Sequence, residues 1–531
     1  MNLLKLSSLL CFVYAFGFAQ INRNISENNF YNAPTSHNLR QVNIVDFGAV
    51  RNDNNNDTQA LNNAIDDLVA TGGGTVFIPS GTFLLNSVIL KSNVKVLVSA
   101  NAVLKPFIIP GQNVTTSTFI MFRAGGNGFI NNVALQSDNN NRKFTIDFRG
   151  SSYVKSRAIS LTNIQNFFIS GIRHLDNKSV FPTLNLSISG PLDNLKSPRF
   201  GVIKNMTTTN TVSGYGLIQM QAANNILFKN LACTGGIALR LESDFRRNAF
   251  RPEAQQQKIN QIIGRNIRCT NGQAAVQISP HTIDQGIVDI RNIRSTSCEY
   301  ALKVEGGFTT DDEESEGLTP GSFNSNSFFS NINATWGANA QVRPVFLRFI
   351  PCNLRDRIRN NNSANESSNI APSLAPVLMF ERGSPERVVG FYGVKIRSIT
   401  KNGFQSQVPN IIRDFCADDY ICNSTTTNSG IRIFEPPICR RASSAKQIDL
   451  VKKVSMSPNP ASTNINITAL GNSHIDIYNI NNQSVISEDL TGKNSKQFYN
   501  SKIQVSQLKS GIYFVKINNA SKTTFKKLII K

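Results

Sequence analysis

Glu242 and Asp244 stand two positions apart in GGIALRLESD, where Ile237, Leu239 and Leu241 alternate with polar neighbours. On a half-buried strand the apolar set turns inward, so Arg240, Glu242 and Asp244 turn outward together. Two carboxyl groups on one face are the minimum for cutting a glycosidic bond. One holds a proton for the leaving oxygen, and the other activates water or attacks the anomeric carbon. Alternate strand positions lie about 6.6–7 Å apart at the backbone. That separation leans towards the inverting arrangement, roughly 6.5–9.5 Å between carboxyls, although side-chain torsions leave the retaining range of about 5–5.5 Å open. A solvated pair at a strand end shows the same pattern, so the neighbouring strands must carry the argument further.

In AAVQISPH, Val276 and Ile278 turn inward, which puts Gln277, Ser279 and His281 on the side of the carboxylates. ALKVEGG adds Lys303 and Glu305, and YGLIQMQA adds Tyr215, Leu217 and Gln219 if its parity matches. Gln219 and His281 are candidates to hold a water for attack. Arg240 and Lys303 are candidates to grip sulfate or carboxylate through charge-assisted hydrogen bonds. Gln277 and Tyr215 complete the expected substrate contacts, while His37, His174 and His474 read as structural.

Strands that line up such residues must be stacked. FFISGIRHL, FGVIKNMTT, NILFKNLAC, QIIGRNIRC, GIVDIRNIR and SFFSNINAT share a corner residue: Gly171, Asn205, Asn230, Asn266, Asn292 and Asn331. The corners fall 25 to 39 residues apart, one turn of a wide solenoid with variable loops. The fold class is therefore all-β, a right-handed parallel β-helix. A helix with Leu61, Ala64, Ile65, Leu68 and Val69 on one face, started by Asp57 or Thr58 and released by Gly72 to Gly74, would cover its open end. Past about Arg440 the texture changes to a small alternating domain, read as a β-sandwich.

The 531 residues are 40% hydrophobic and 17% charged, which excludes disorder as the main description. A net charge of +21 points to a polyanionic partner. Residues 1–19 read as a secretory signal, so the mature chain begins at Gln20. An exported protein meets extracellular glycan rather than nucleic acid, and a single Trp, Trp336, suits a sulfated glycan better than a neutral one. No later apolar run is long enough to span a bilayer. Loss of Cys11 with the signal leaves seven cysteines, an odd number in an oxidising compartment. Cys416 and Cys422 are candidates for a short disulfide loop; Cys269 and Cys298 are either stacked neighbours or two small buried thiols. The expected domains are 20–445, with loop excursions around 307–325 and 346–380, and 446–531.

The stretch GYGLIQMQAANNILFKNLACTGGIALRLESD, continued through CTNGQAAVQISPH, resembles the catalytic core of the iota-carrageenases, glycoside hydrolase family 82. The likeness extends more weakly from VDFGA near Val45 to the Cys416 and Cys422 loop. It implies endo-hydrolysis of β-1,4 bonds in a sulfated red-algal galactan with inversion. By that resemblance Glu242 is the general acid, Asp244 the general base, and Gln219 and His281 position the water. It also implies that the chemistry needs no cofactor, with structural calcium and a bound chloride whose ligands the sequence does not assign. Only TTDDEESEGLTPGSF follows ALKVEGGF, where some family members carry a large lid, so a more open groove is expected. DDEESE is either a calcium ligand run or a surface loop, and the basic RFIPCNLRDRIRNNN is either a second excursion or a solvated loop.

PNPAS at 458–462 and SGIYFVKI near the end resemble the C-terminal sorting domain of the type IX secretion system, which implies an extracellular or cell-surface monomer delivered by that machinery. Two other readings fit a basic β-helix: a lyase acting on acidic glycan by β-elimination, and an adhesin that binds sulfated glycan without cutting it. The NTD and GHG signatures of polygalacturonases are absent.

Overall fold

The computed structural model describes residues 25–531 except 125–127, 192–193, 244–256, four positions within 311–316, 381–392, 414–421, most of 423–454, and 471–472, 480–482, 490–497 and 520–521 in the tail. The chain divides into two compact units, Met1–Ile438 and Cys439–Lys531. The signal segment 1–19 lies outside the described residues.

In the first unit two parallel sheets, one of 14 strands and one of 10, coil around a shared core. From Lys155 onward each turn contributes one strand to each sheet, so like residues stack. Met206, Leu231, Ile267, Ile293 and Ile332 form one column on the larger sheet. Ile159, Leu184, Ile218, Leu239, Val276, Leu302 and Val377 form the facing column. All are buried in one hydrophobic cluster, and each such side chain contributes about 1.5–3 kcal/mol relative to exposure.

All six corner residues named from the sequence adopt left-handed backbone, with φ between 53° and 75° for Gly171, Asn205, Asn230, Asn266, Asn292 and Asn331. Asn tolerates this region, and its amide adds a ladder up the coil. Asn230 Nδ2 donates to Asn205 Oδ1 at 2.9 Å, and Asn266 Nδ2 donates to Asn230 Oδ1 at 3.0 Å. Asn230→Ala should therefore lose both the favourable bend and the ladder, about 2–3 kcal/mol by urea denaturation. Asn230→Gly keeps the bend and should lose only about 1 kcal/mol.

Helix Thr58–Ala70 covers the open end, burying Leu61, Ala64, Ile65 and Leu68, while Val69 stays 41% exposed. Neither expected cap closes its first turn through a side chain. Asp57 accepts instead from Val50 N and Leu84 N, both at 3.0 Å, tying the entry loop to the first turn of the coil.

The segment after Ala340 is a folded excursion and not a solvated loop. Strands Ala340–Val342, Arg359–Asn360 and Asn369–Ala371 form a small antiparallel sheet. Phe346, Leu347, Phe349 and Ile350 pack with Tyr300, Leu378 and Ile412 into a second core. A disulfide joins Cys352 to Cys422, so the expected Cys416–Cys422 loop does not form. The excursion brings Cys352 to the segment that carries Cys422, and Ile433 from beyond it joins the same core. Cys269 stacks on Cys233 and its thiol also meets Cys298, although Ser295 is its register partner on the next rung; all three cysteines are buried and free.

The second unit contains antiparallel sheets with a core of Ile465, Ile467, Ile475, Ile477, Val515 and Ile517. Among the described residues no helix is long and apolar enough to cross a membrane.

Candidate active site

The outward faces of the 10-stranded sheet build the site. Strands Lys155–Leu161, Leu184–Leu186, Gly216–Met220, Ile237–Glu242, Ala274–Ser279 and Tyr300–Glu305 lie side by side. Their register makes one column of Ser160, Asn185, Gln219, Arg240, Gln277 and Lys303. The next column pairs Glu242 with Ser279. The parity inferred for YGLIQMQA therefore holds at Gln219, whereas Leu217 belongs to the core.

Glu242 closes its strand with only 8% of its surface exposed. Arg240 Nε donates to its Oε2, and Arg240 also donates through Nη1 to the carbonyl of Gly214. Gly214 N in turn donates to Gln273 Oε1 at 2.6 Å, so the backbone that seats the guanidinium is itself fixed. His281 Nε2 donates to Glu242 Oε1 at 2.9 Å, and Gln277 Nε2 lies 3.4 Å from Oε2. Burial alone would raise the Glu242 pKa. The charge of Arg240 and the hydrogen bonds from His281 and Arg240 outweigh it, holding the carboxyl well below its usual range.

His281 is thus a direct partner of Glu242. It sits at φ 52°, left-handed for a residue that seldom adopts that region, and neighbouring segments hold it there. Phe308 N and Gly321 N donate to its carbonyl at 3.1 and 2.7 Å, and its ring meets Phe308 at 4.6 Å. The short excursion after ALKVEGGF therefore buttresses the histidine. Within that excursion Glu313 is fully buried and accepts from Thr310 N at 2.7 Å; most of the DDEESE run lies outside the described residues. Among the described residues no group of three or more His, Cys, Asp or Glu is placed to hold a metal ion.

Lys303, expected to face substrate, is instead closed off from the outer face. Its side chain is 0% exposed, its Nζ lies 2.7 Å from Glu305 Oε1, and it sits beneath the Phe346 ring. The packed excursion covers this end of the column, which a strand pattern read alone could not reveal. Asp244 lies outside the described residues. Tyr215 is half-buried and close enough to favour the charge on Arg240. His174 is buried against Thr183 and Thr208, a structural histidine.

Sequence reasoning missed Ser160, Asn185 and Arg157. Arg157 stacks over Phe181 at 4.2 Å, and the buried Asn185 Oδ1 has no hydrogen-bond partner among the described residues. The strand Leu184–Leu186 spans three residues, too short for alternation to stand out; only its register with the next rung identifies Asn185.

Residues 41–307 match the family described as rhamnogalacturonase A/epimerase, pectate lyase-like, which is half of the chain. The chain belongs to this β-helix family. Two of its relatives are named iota-carrageenases. One, from Alteromonas macleodii, is 34% identical over 53% of this chain, though the match spans only 55% of that relative. Another, from Zobellia galactanivorans, is 29% identical over 71% of this chain and 86% of its own. Two solved structures share the fold at 74% coverage of this chain and 94% of theirs. One is named a galactohydrolase for galactose-4-sulfate and 3,6-anhydrogalactose-2-sulfate (TM-score 0.67, 29% identity), and the other is an iota-carrageenase complexed to iota-carrageenan fragments (TM-score 0.66, 27% identity). Residues 455–531 match a secretion-system C-terminal sorting domain, which places this β-helix protein outside the cell or at its surface.

Proposed function

We propose that the protein is an endo-acting glycoside hydrolase that cleaves β-1,4 linkages of iota-carrageenan with inversion, acting as a monomer delivered by the type IX machinery. The observation that carries the reading is the carboxylate of Glu242 held by Arg240 and His281 on the outward face of the coil, in a chain homologous to iota-carrageenases. Glu242 is the general acid and gives its proton to the leaving glycosidic oxygen. Asp244 takes a proton from a water held with the help of Gln219, and that water attacks the anomeric carbon from the opposite face. The two carboxyl groups supply both proton transfers, so the chemistry itself calls for no cofactor; calcium and chloride would serve structure.

A paired, ionised Glu242 cannot yet act as an acid. A sulfate on the incoming chain competes for the Arg240 guanidinium, and its withdrawal leaves burial to favour the protonated carboxyl. Arg240→Gln removes the opposing charge, so the Glu242 pKa should rise and the basic limb of the kcat/KM profile should move to higher pH. The KM for sulfated polymer should rise as well. Arg240→Lys, which keeps the charge, should leave the limb close to its wild-type position. A limb that stays in place in Arg240→Gln would contradict the pairing.

The overall reading is tested by incubation with purified iota-, kappa- and lambda-carrageenans, reading reducing ends and ultraviolet absorption together. New reducing ends from the iota form without absorption are expected. Absorption from a conjugated product would indicate a lyase, and unchanged polymer a binding protein.

A further inference from the structure

The corner where the catalytic strands turn into the larger sheet holds a pocket of about 320 Å³ that the hydrolytic chemistry does not use. Phe129, the Asn194–Ser197 turn, Arg199, Asn224 and the segment from Gln257 to Asn260 line it. The volume falls at the lower end of small-ligand sites. Among the described residues its lining contains three cations, Lys196, Arg199 and Lys258, and no carboxylate.

Arg199 is held ready. Its Nε donates to Gln165 Oε1 at 2.7 Å, and its guanidinium lies 4.1 Å over the Phe129 ring. These contacts fix the plane and leave its terminal nitrogens without a described protein acceptor. Lys258 is exposed and has no described acid partner, while the Lys196 ammonium donates to the carbonyl of Asn194 at 3.3 Å and lies 5.9 Å over the Phe129 ring. Amides of Asn224 and Asn260 join the same wall, linked at 3.2 Å. Cations with no acid beside them among the described residues, and amides between them, suit a ligand that alternates sulfate and hydroxyl groups. A bare anion would leave most of the volume unfilled.

We propose that this corner pocket is a second binding site for sulfated saccharide, distinct from the site around Glu242. The proposal rests on the hydrolase reading for its choice of ligand. Asn224 follows Gln219 by five positions, so the pocket lies where the strands of the site run out. A polymer held there is kept near the catalytic strands between cuts.

The test uses the full chain carrying Glu242→Gln, so that polymer stays intact, in native gels cast with iota-carrageenan. Adding Lys196→Ala and Lys258→Ala is expected to weaken retardation about five- to tenfold, the loss of two charge-assisted contacts. Agarose, the unsulfated galactan, should retard neither protein. Lys258→Glu alone, at an exposed position, gives a second reading that does not depend on how the double variant folds. Equal retardation of parent and variants would overturn the proposal. So would inorganic sulfate that abolishes the difference between them when chloride at the same ionic strength does not, since that outcome describes a small-anion site. Reducing-end release by the wild-type chain reports separately on the hydrolase reading, so the failure of one is distinguishable from the failure of the other.

Discussion

Glu242→Gln should lower reducing-end release from iota-carrageenan by about 10²- to 10⁴-fold, the usual worth of a positioned general acid. The amide keeps the shape of the side chain and its one oxygen can accept from Arg240 or from His281, but it has no acidic proton for the leaving oxygen. Binding should persist or tighten, because an Arg240 no longer paired to a charge is freer to meet sulfate. The defect should also shrink on a substrate with a good leaving group, such as an aryl glycoside, which departs without protonation. A variant that cuts polymer at the wild-type rate would remove Glu242 from the chemistry.

Asp244→Asn should cost a similar factor for a different reason. Here the leaving oxygen still receives its proton, and what is missing is the base that strips the attacking water. Azide, a nucleophile that needs no deprotonation, should restore turnover of the Asp244 variant by giving a glycosyl azide of inverted configuration. It should not restore Glu242→Gln on polymer. If azide rescued both variants or neither, the two assigned roles would lose their basis.

The coil itself was legible in the sequence because its two requirements leave marks in residue type. Left-handed corners select Asn and Gly, so Asn205 to Asn331 could be placed by inspection. Stacked inward columns demand alternation, so Leu239 and Val276 could be assigned to the core and Arg240 and Gln277 to the outer face. Burial of an outward residue by a distant segment leaves no such mark. Lys303 alternates correctly and lies in the expected column, yet Phe346, 43 positions further on, closes over it. The disulfide partner of Cys422 escaped for the same reason. Proximity in sequence favoured Cys416, and only the folding of the excursion brings Cys352 to the bond. The hydrogen bond from His281 to Glu242 depends on a backbone conformation that neither residue's identity encodes. His281 could be placed near the carboxylate by counting rungs, but not bonded to it.

An acid and a base that drives water onto the opposite face of the sugar invert it in a single displacement, and the anomer first released records that directly. Proton magnetic resonance of iota-carrageenan during the first minutes of digestion should show the new reducing ends appearing as the α anomer, with β arising only later by mutarotation. Initial release of the β anomer, or of an unsaturated end, would contradict the assignment of Glu242 and Asp244 as acid and base.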